Sequence, residues 1–194
     1  MTPRIADLLG RIQALEEELV QEVESGLVLR GFSLKGKVIA FEREVIERHR
    51  CLRLGLVRYL SGIPLRNMLS APVIYSMILP LLLLDGWVSV YLSICFRIYG
   101  IPQVRRAGYI VFDRHHLAYL NWIEALNCSY CAYGNGVIAY VREISSRTEQ
   151  YWCPIKHAVR LRDSHKRYLD FLEYGDADGY HGQLEEYRKK VRDS

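Results

Sequence analysis

The sequence predicts a mainly α-helical protein, a helical bundle with one membrane-embedded helical segment. That segment enters either as a re-entrant hairpin or as a single kinked span. Three observations predict this. Apolar residues recur at 3-4 spacing over residues 3–24 and again over 38–61. From Asn67 to Phe96 a single residue, Asp85, is charged. Glycine- and proline-bearing turns punctuate the chain at Gly62-Ile63-Pro64, Gly100-Ile101-Pro102 and Gly134-Asn135-Gly136.

Residues 1–25 read as an N-terminal amphipathic helix. Thr2-Pro3 supplies a cap and first-turn pair. Ile5, Leu8, Ile12, Leu15 and Leu19 form a stripe that either packs on its own domain or pairs with a second copy as a short coiled coil, giving a homo-oligomer. Residues 26–66 hold a glycine-punctuated loop over 26–36, with a short extended piece, and then an Arg-rich amphipathic helix over 38–61. Such a helix suits either an anionic membrane surface or a solvated face.

Residues 67–100 form the membrane-embedded segment, since a span needs about 20 apolar residues and a soluble core helix rarely needs about 30. Pro80 is the expected kink of a single span. Basic residues flank both ends, Arg58 and Arg66 before, Arg97, Arg105 and Arg106 after. That symmetry puts both ends on the cytoplasmic side and tilts the reading toward the hairpin. Asp85, Ser89, Ser93 and Arg97 fall at four-residue steps, a polar stripe expected to face protein.

Residues 101–174 read as a Cys/His helical module and 175–194 as a C-terminal helix. Asp113 is the expected cap of a helix to about Asn127. A second helix runs over 137–150, and a third starts near Ile155 with Pro154 in its first turn. Gly134-Asn135-Gly136 is the expected turn between the first two.

The candidate site is the pattern Cys128-x2-Cys131 followed by Cys153-x3-His157. A two-residue gap lets two thiolates reach one ion, and a Cys and His on one helical turn do the same. A closed Cys3His site suits zinc. Iron or an iron–sulfur cluster is the alternative, since thiolates hold those as well. His116 and Glu124 share a helical stripe with Cys128 and enter as additional ligands or neighbours of the ligands. Against this stands the ordinary burial of cysteine in apolar helices.

The bulk numbers narrow the function classes. The 194 residues are half hydrophobic and a quarter charged, which excludes a disordered chain. The net charge of +4 comes from basic residues interleaved with acidic ones, so a nucleic-acid partner is not expected. The five cysteines are an odd number, and residues 1–25 carry no apolar secretory stretch. A reducing compartment follows, with the chain at the inner membrane and its soluble parts on the cytoplasmic side.

The stretches Asp113-Arg114-His115-His116-Leu117-Ala118-Tyr119-Leu120-Asn121 and Tyr151-Trp152-Cys153-Pro154-Ile155-Lys156-His157 resemble an uncharacterised bacterial membrane-associated family. The resemblance covers roughly residues 65–160. It implies no activity, substrate or ligand.

Three functions fit these readings. One is a membrane-associated metal-binding protein with a cytoplasmic Cys3His-type site, zinc or iron, in a structural role. Another is a membrane redox enzyme or electron carrier using the same residues. The third is an oligomeric membrane scaffold without metal. The lipid bilayer is a partner in all three.

Overall fold

The computed structural model of the chain describes residues 3–29, 32–35, 38–41, 43–159 and 161–194. It is mainly helical and divides into two units. One comprises Met1–Ile63 with Asp113–Cys128, the other Pro64–Phe112 with Ser129–Ser194.

In the first unit, α1 (Pro3–Leu29) confirms the amphipathic helix and extends it past the expected end. Leu8, Ile12, Leu15 and Leu19 are all exposed, so this stripe does not pack on its own domain. The Ile5 side chain lies outside the described ones. The helix expected over 38–61 divides into three pieces. Val38–Phe41 is a strand, β2, antiparallel to β1 (Phe32–Lys35), with Phe32 opposite Phe41 and Lys35 opposite Val38. Val, Ile and Phe fit a pleated ribbon better than a helix. Then come α2 (Arg43–Cys51) and α3 (Leu56–Ser61). Glu44 at the start of α2 and Arg48, His49 and Arg50 at its end match its dipole. Gly55 caps α3, its carbonyl accepting from the Tyr59 N–H at 2.9 Å.

The second unit is built on one long apolar run, Leu65–Tyr99, long and apolar enough to cross a membrane. Its parts are α4 (Leu65–Ser76), α5 (Ile78–Tyr91), a π-helical turn Leu92–Phe96 and α6 (Arg97–Tyr99). The only break between α4 and α5 is at Met77, three residues before Pro80. Proline has no N–H for the Ser76 carbonyl. Met77 keeps right-handed helical dihedrals (φ −61°, ψ −15°), so the chain continues forward. The segment is therefore a single run, and no hairpin reversal occurs in it.

Gly100 ends the run in the left-handed conformation (φ 70°). The Ile101 N–H donates to the Phe96 carbonyl at 2.8 Å, closing a Schellman-type stop. The chain then turns back along the run as an irregular strap, residues 101–112.

The helix α7 (Trp122–Trp152) is 31 residues without interruption, and its part from Ser129 onward is the second pillar. The turn expected at Gly134-Asn135-Gly136 does not form. The periodicity of Tyr133, Val137, Tyr140, Ile144 and Tyr151, all buried, carries the helix through it. The glycines serve packing instead. A Cβ on Gly136 would come within 2.7 Å of the Tyr109 carbonyl oxygen and 2.9 Å of the Ile110 Cα, so only glycine lets the strap cross here. The helix stops two residues before Pro154, as the proline disfavours helical backbone at Cys153.

The long run and α7 lie parallel. Ile74 meets Tyr130, Leu81 meets Gly134, Tyr91 meets Thr148 and Tyr99 stacks on Tyr151. Leu92, Phe96, Val104, Tyr140, Ile144 and Val191 form the main core between them. Beyond α7 the expected helix from Ile155 is absent. The backbone there bridges to Leu172 in parallel fashion, Lys156 N–H donating to Leu172 O at 2.7 Å, and a 3-10 turn follows at Lys166–Asp170. The C-terminal helix, α8 (Ala177–Arg192), starts at an Asp176 cap whose side chain accepts from the Gly179 N–H. Arg188 and Arg192 stack over Tyr151 and fasten α8 to the end of α7.

Gly136→Ala is expected to lower stability by about 1–3 kcal/mol in thermal unfolding, because the added methyl meets backbone that cannot yield. Gly134→Ala meets only the flexible end of Leu81, at 3.3 Å, and should cost clearly less.

Candidate functional site

The residues expected to bind metal do not converge. Cys128 and Cys131 lie one turn apart on α7, and Cys153 follows directly after the end of the same helix. At about 1.5 Å per residue, Cys131 and Cys153 are about 33 Å apart along the axis. Two ligands on one zinc lie within about 4 Å of each other. These residues therefore do not fit one zinc, iron or iron–sulfur centre within a single chain. Cys153 and His157 do not share a helical turn either, since the backbone between them is irregular and extended. His157 is exposed and stacks on Tyr168.

His116 and Glu124 have other places. Residues 113–121 do not form the expected helix. His116 sits in a 3-10 turn, Arg114–His116, away from the α7 stripe. Asn121 caps α7. Its Oδ1 accepts from the N–H groups of Ile123 and Glu124 at 3.0 Å, and the Glu124 carboxylate accepts from the Asn121 N–H at 2.9 Å. This is a capping box, and it accounts for Glu124 without a metal. Among the described residues, no group of three or more His, Cys, Asp or Glu is placed to hold a metal ion.

The structure does assemble a polar site around Asp85, which is buried on the apolar run. Arg106, on the returning strap, donates from Nε to Asp85 Oδ1 at 3.0 Å and from Nη2 to Oδ2. Tyr133 of α7 donates from its hydroxyl to Oδ2 at 2.9 Å. Burial pushes the Tyr133 phenol up, and its bond to Asp85 pushes it further, so it keeps its proton. A buried carboxylate is tolerable when a guanidinium and a hydroxyl satisfy it in this way. The pairing joins all three layers: run, strap and α7.

The expected polar stripe holds only in part. Asp85 is buried and Ser89 half-buried, but Ser93 and Arg97 are exposed. Four residues turn a helix by about 400°, so each step drifts about 40°. The inward face continues instead through Leu92 and Phe96.

A second ionic cluster lies further along α7. Glu143 accepts from Arg147 Nε at 2.8 Å and from Arg167 Nη1 at 2.9 Å, and Arg167 also donates to Ser146 Oγ. Arg147 reaches the Pro102 carbonyl at 3.2 Å, which pins the start of the strap. His165 Nε2 lies 2.8 Å from Glu149 Oε2. Burial works to raise the Glu143 carboxyl, but the hydrogen bonds from Arg167 and Arg147 outweigh it and hold it below its ordinary value. Asp85 and Glu143 are each paired with arginine. This suits them to clamping the fold and not to proton transfer. The Glu143–Arg147 pair was legible as an i, i+4 spacing. Nothing local in the sequence joins Arg106 to Asp85.

Arg106→Gln leaves the Asp85 carboxylate short of its counter-charge and is expected to cost about 1–3 kcal/mol, since Arg106 is half-exposed and water can partly compensate. Adding Asp85→Leu should recover much of that loss in chemical unfolding. For Glu143, the folded carboxyl titrates below its ordinary value of 4.5. Its contribution is therefore complete above about that pH and lost as pH falls through the lower folded value. An acid titration of the melting temperature should show a shallower decline for Glu143→Gln than for the parent.

No protein family, no curated protein and no solved structure matches the chain.

Proposed function

We propose that the protein is a non-catalytic, membrane-bound assembly protein, seated on the bilayer by the Leu65–Tyr99 run and brought together with other copies by α1. The observation that carries this reading is the exposure of the run. Only 11% of its most apolar stretch is buried against the chain, whereas the core helix of a soluble protein would be mostly covered. Trp87 and Leu83 are among its most exposed residues, and tryptophan is favoured at the membrane interface. The exposed stripe of α1 supports self-association, because two heptads of Leu and Ile left in water are stabilised by a partner helix. The basic flanks of the run support the cytoplasmic face of an inner membrane. A metal-binding reading, with zinc or iron on Cys128 and Cys131, would need its remaining ligands from a second copy.

Purified protein mixed with lipid vesicles should float with them on a density gradient, and Leu83→Glu with Trp87→Glu should abolish flotation. Ile12→Lys with Leu19→Lys should lower the sedimenting mass without affecting flotation. Protein that stays in the aqueous fraction sinks the membrane reading, and an unchanged mass sinks the self-association. Metal analysis of the assembled protein tests the zinc or iron alternative.

A further inference from the structure

We propose that the Leu65–Tyr99 run lies in the plane of an anionic membrane surface and does not cross it. This rests on the membrane reading above and specifies its geometry. The run has two distinct faces. At about 100° per residue, Leu65, Leu69, Leu83, Trp87, Val90 and Ile98 fall on one side, about opposite Asp85, Leu92 and Phe96. Over α5 and the turns after it exposure follows that division: Leu83, Trp87 and Ile98 are 74%, 78% and 72% exposed, while Asp85 and Phe96 are 7% and 0%; in α4 no residue is buried, and the outer side is marked by Leu65 and Leu69 alone. Ser76 falls on the outer face, but its hydroxyl is satisfied within the helix by the Val73 carbonyl at 2.7 Å.

The apolar stripe runs the full length of the helix. Its 35 residues extend about 52 Å, against about 30 Å of hydrocarbon. Holding the whole stripe in a bilayer as a span requires a tilt of about 55°, beyond the range of about 0–40° that spanning helices show.

The opposite side of the run raises a second objection to a span. There lie the irregular strap, with Arg105 and the half-exposed Arg106, and the charged part of α7, with the exposed Arg142 and the Glu143 cluster. Irregular backbone and exposed charge do not face hydrocarbon. A span limited to the first half of the run would leave Trp87, Val90, Ile94 and Ile98 in water. In-plane seating satisfies both sides, with the outer face in the acyl boundary and the strap and α7 in water.

The lipid charge follows from the arginines. Arg66 and Arg97 are exposed at the two ends of the stripe. Long basic side chains next to a buried apolar face reach anionic headgroups.

The test uses the full chain with spin labels on Leu69→Cys, Leu83→Cys and Ile98→Cys, in a background whose five native cysteines are serine and whose helicity matches the parent. The probes are vesicles of phosphatidylcholine with phosphatidylglycerol. Similar, shallow depths at all three positions are the expected result. A deep Leu83 site with shallow ends, or an Ile98 site in water, overturns in-plane seating while leaving membrane binding intact. Failure to float with vesicles overturns the membrane reading itself. Labels that are shielded without lipid and a doubled sedimenting mass would mean a second copy covers the face, which also overturns the proposal. Arg66→Gln and Arg97→Gln together should weaken binding to these vesicles on the order of 30-fold. An unchanged affinity overturns the choice of anionic lipid.

Discussion

The unbroken length of α7 is the constraint on which the second unit depends. A rod of 31 residues sets how far apart everything attached to it must be. It separates the cysteines that sequence spacing groups, and it gives the apolar run a partner along one side from Ile74 to Tyr99. The rod survives the Gly134-Asn135-Gly136 stretch because its inward face is aromatic and aliphatic at helical period. Burial of that face outweighs the helix penalty of two glycines, about 1 kcal/mol each. Close approach of the strap at Gly136 is what the glycine permits in return.

Charge is used in this unit to join elements that apolar packing alone would leave free to slide. Asp85 receives partners from two different elements, and Glu143 ties α7 to the turn at Lys166–Asp170. Hydrophobic burial has no direction, whereas a guanidinium meeting a carboxylate at two points fixes an angle. The aromatic and cationic stack of Tyr99, Tyr151, Arg188 and Arg192 does the same at the far end of the unit.

Periodicity made much of this legible in advance. The helical class, α1, the apolar run and the stop at Gly100 all follow from patterns within a few residues of one another. The break near residue 77 was also legible, displaced from Pro80 to the carbonyl that the proline leaves unpaired. The short extended piece within 26–36 was legible and is β1; its partner β2 was hidden because Val, Ile and Phe fit both periods when a segment is only four residues long. The site was less legible. Cys-x2-Cys on a continuous helix and on a metal knuckle look alike in sequence, and the difference lay in whether residues 134–136 turn. Glu124 illustrates a second ambiguity, since Asn-x2-Glu before an apolar stretch is a capping box, while its helical step to Cys128 equally suits a ligand or a neighbour of the ligands. Arg106 reaching Asp85 was illegible, because that contact depends on the strap folding back.

The strap's start is set by the left-handed Gly100 and its middle is held at Asp85, so residues 101–106 must cover a fixed distance. An added residue there would move Arg106 off its carboxylate and shift Ile110 away from the notch at Gly136. Insertions and deletions should therefore be excluded from the strap, which makes the strap a ruler for the whole unit.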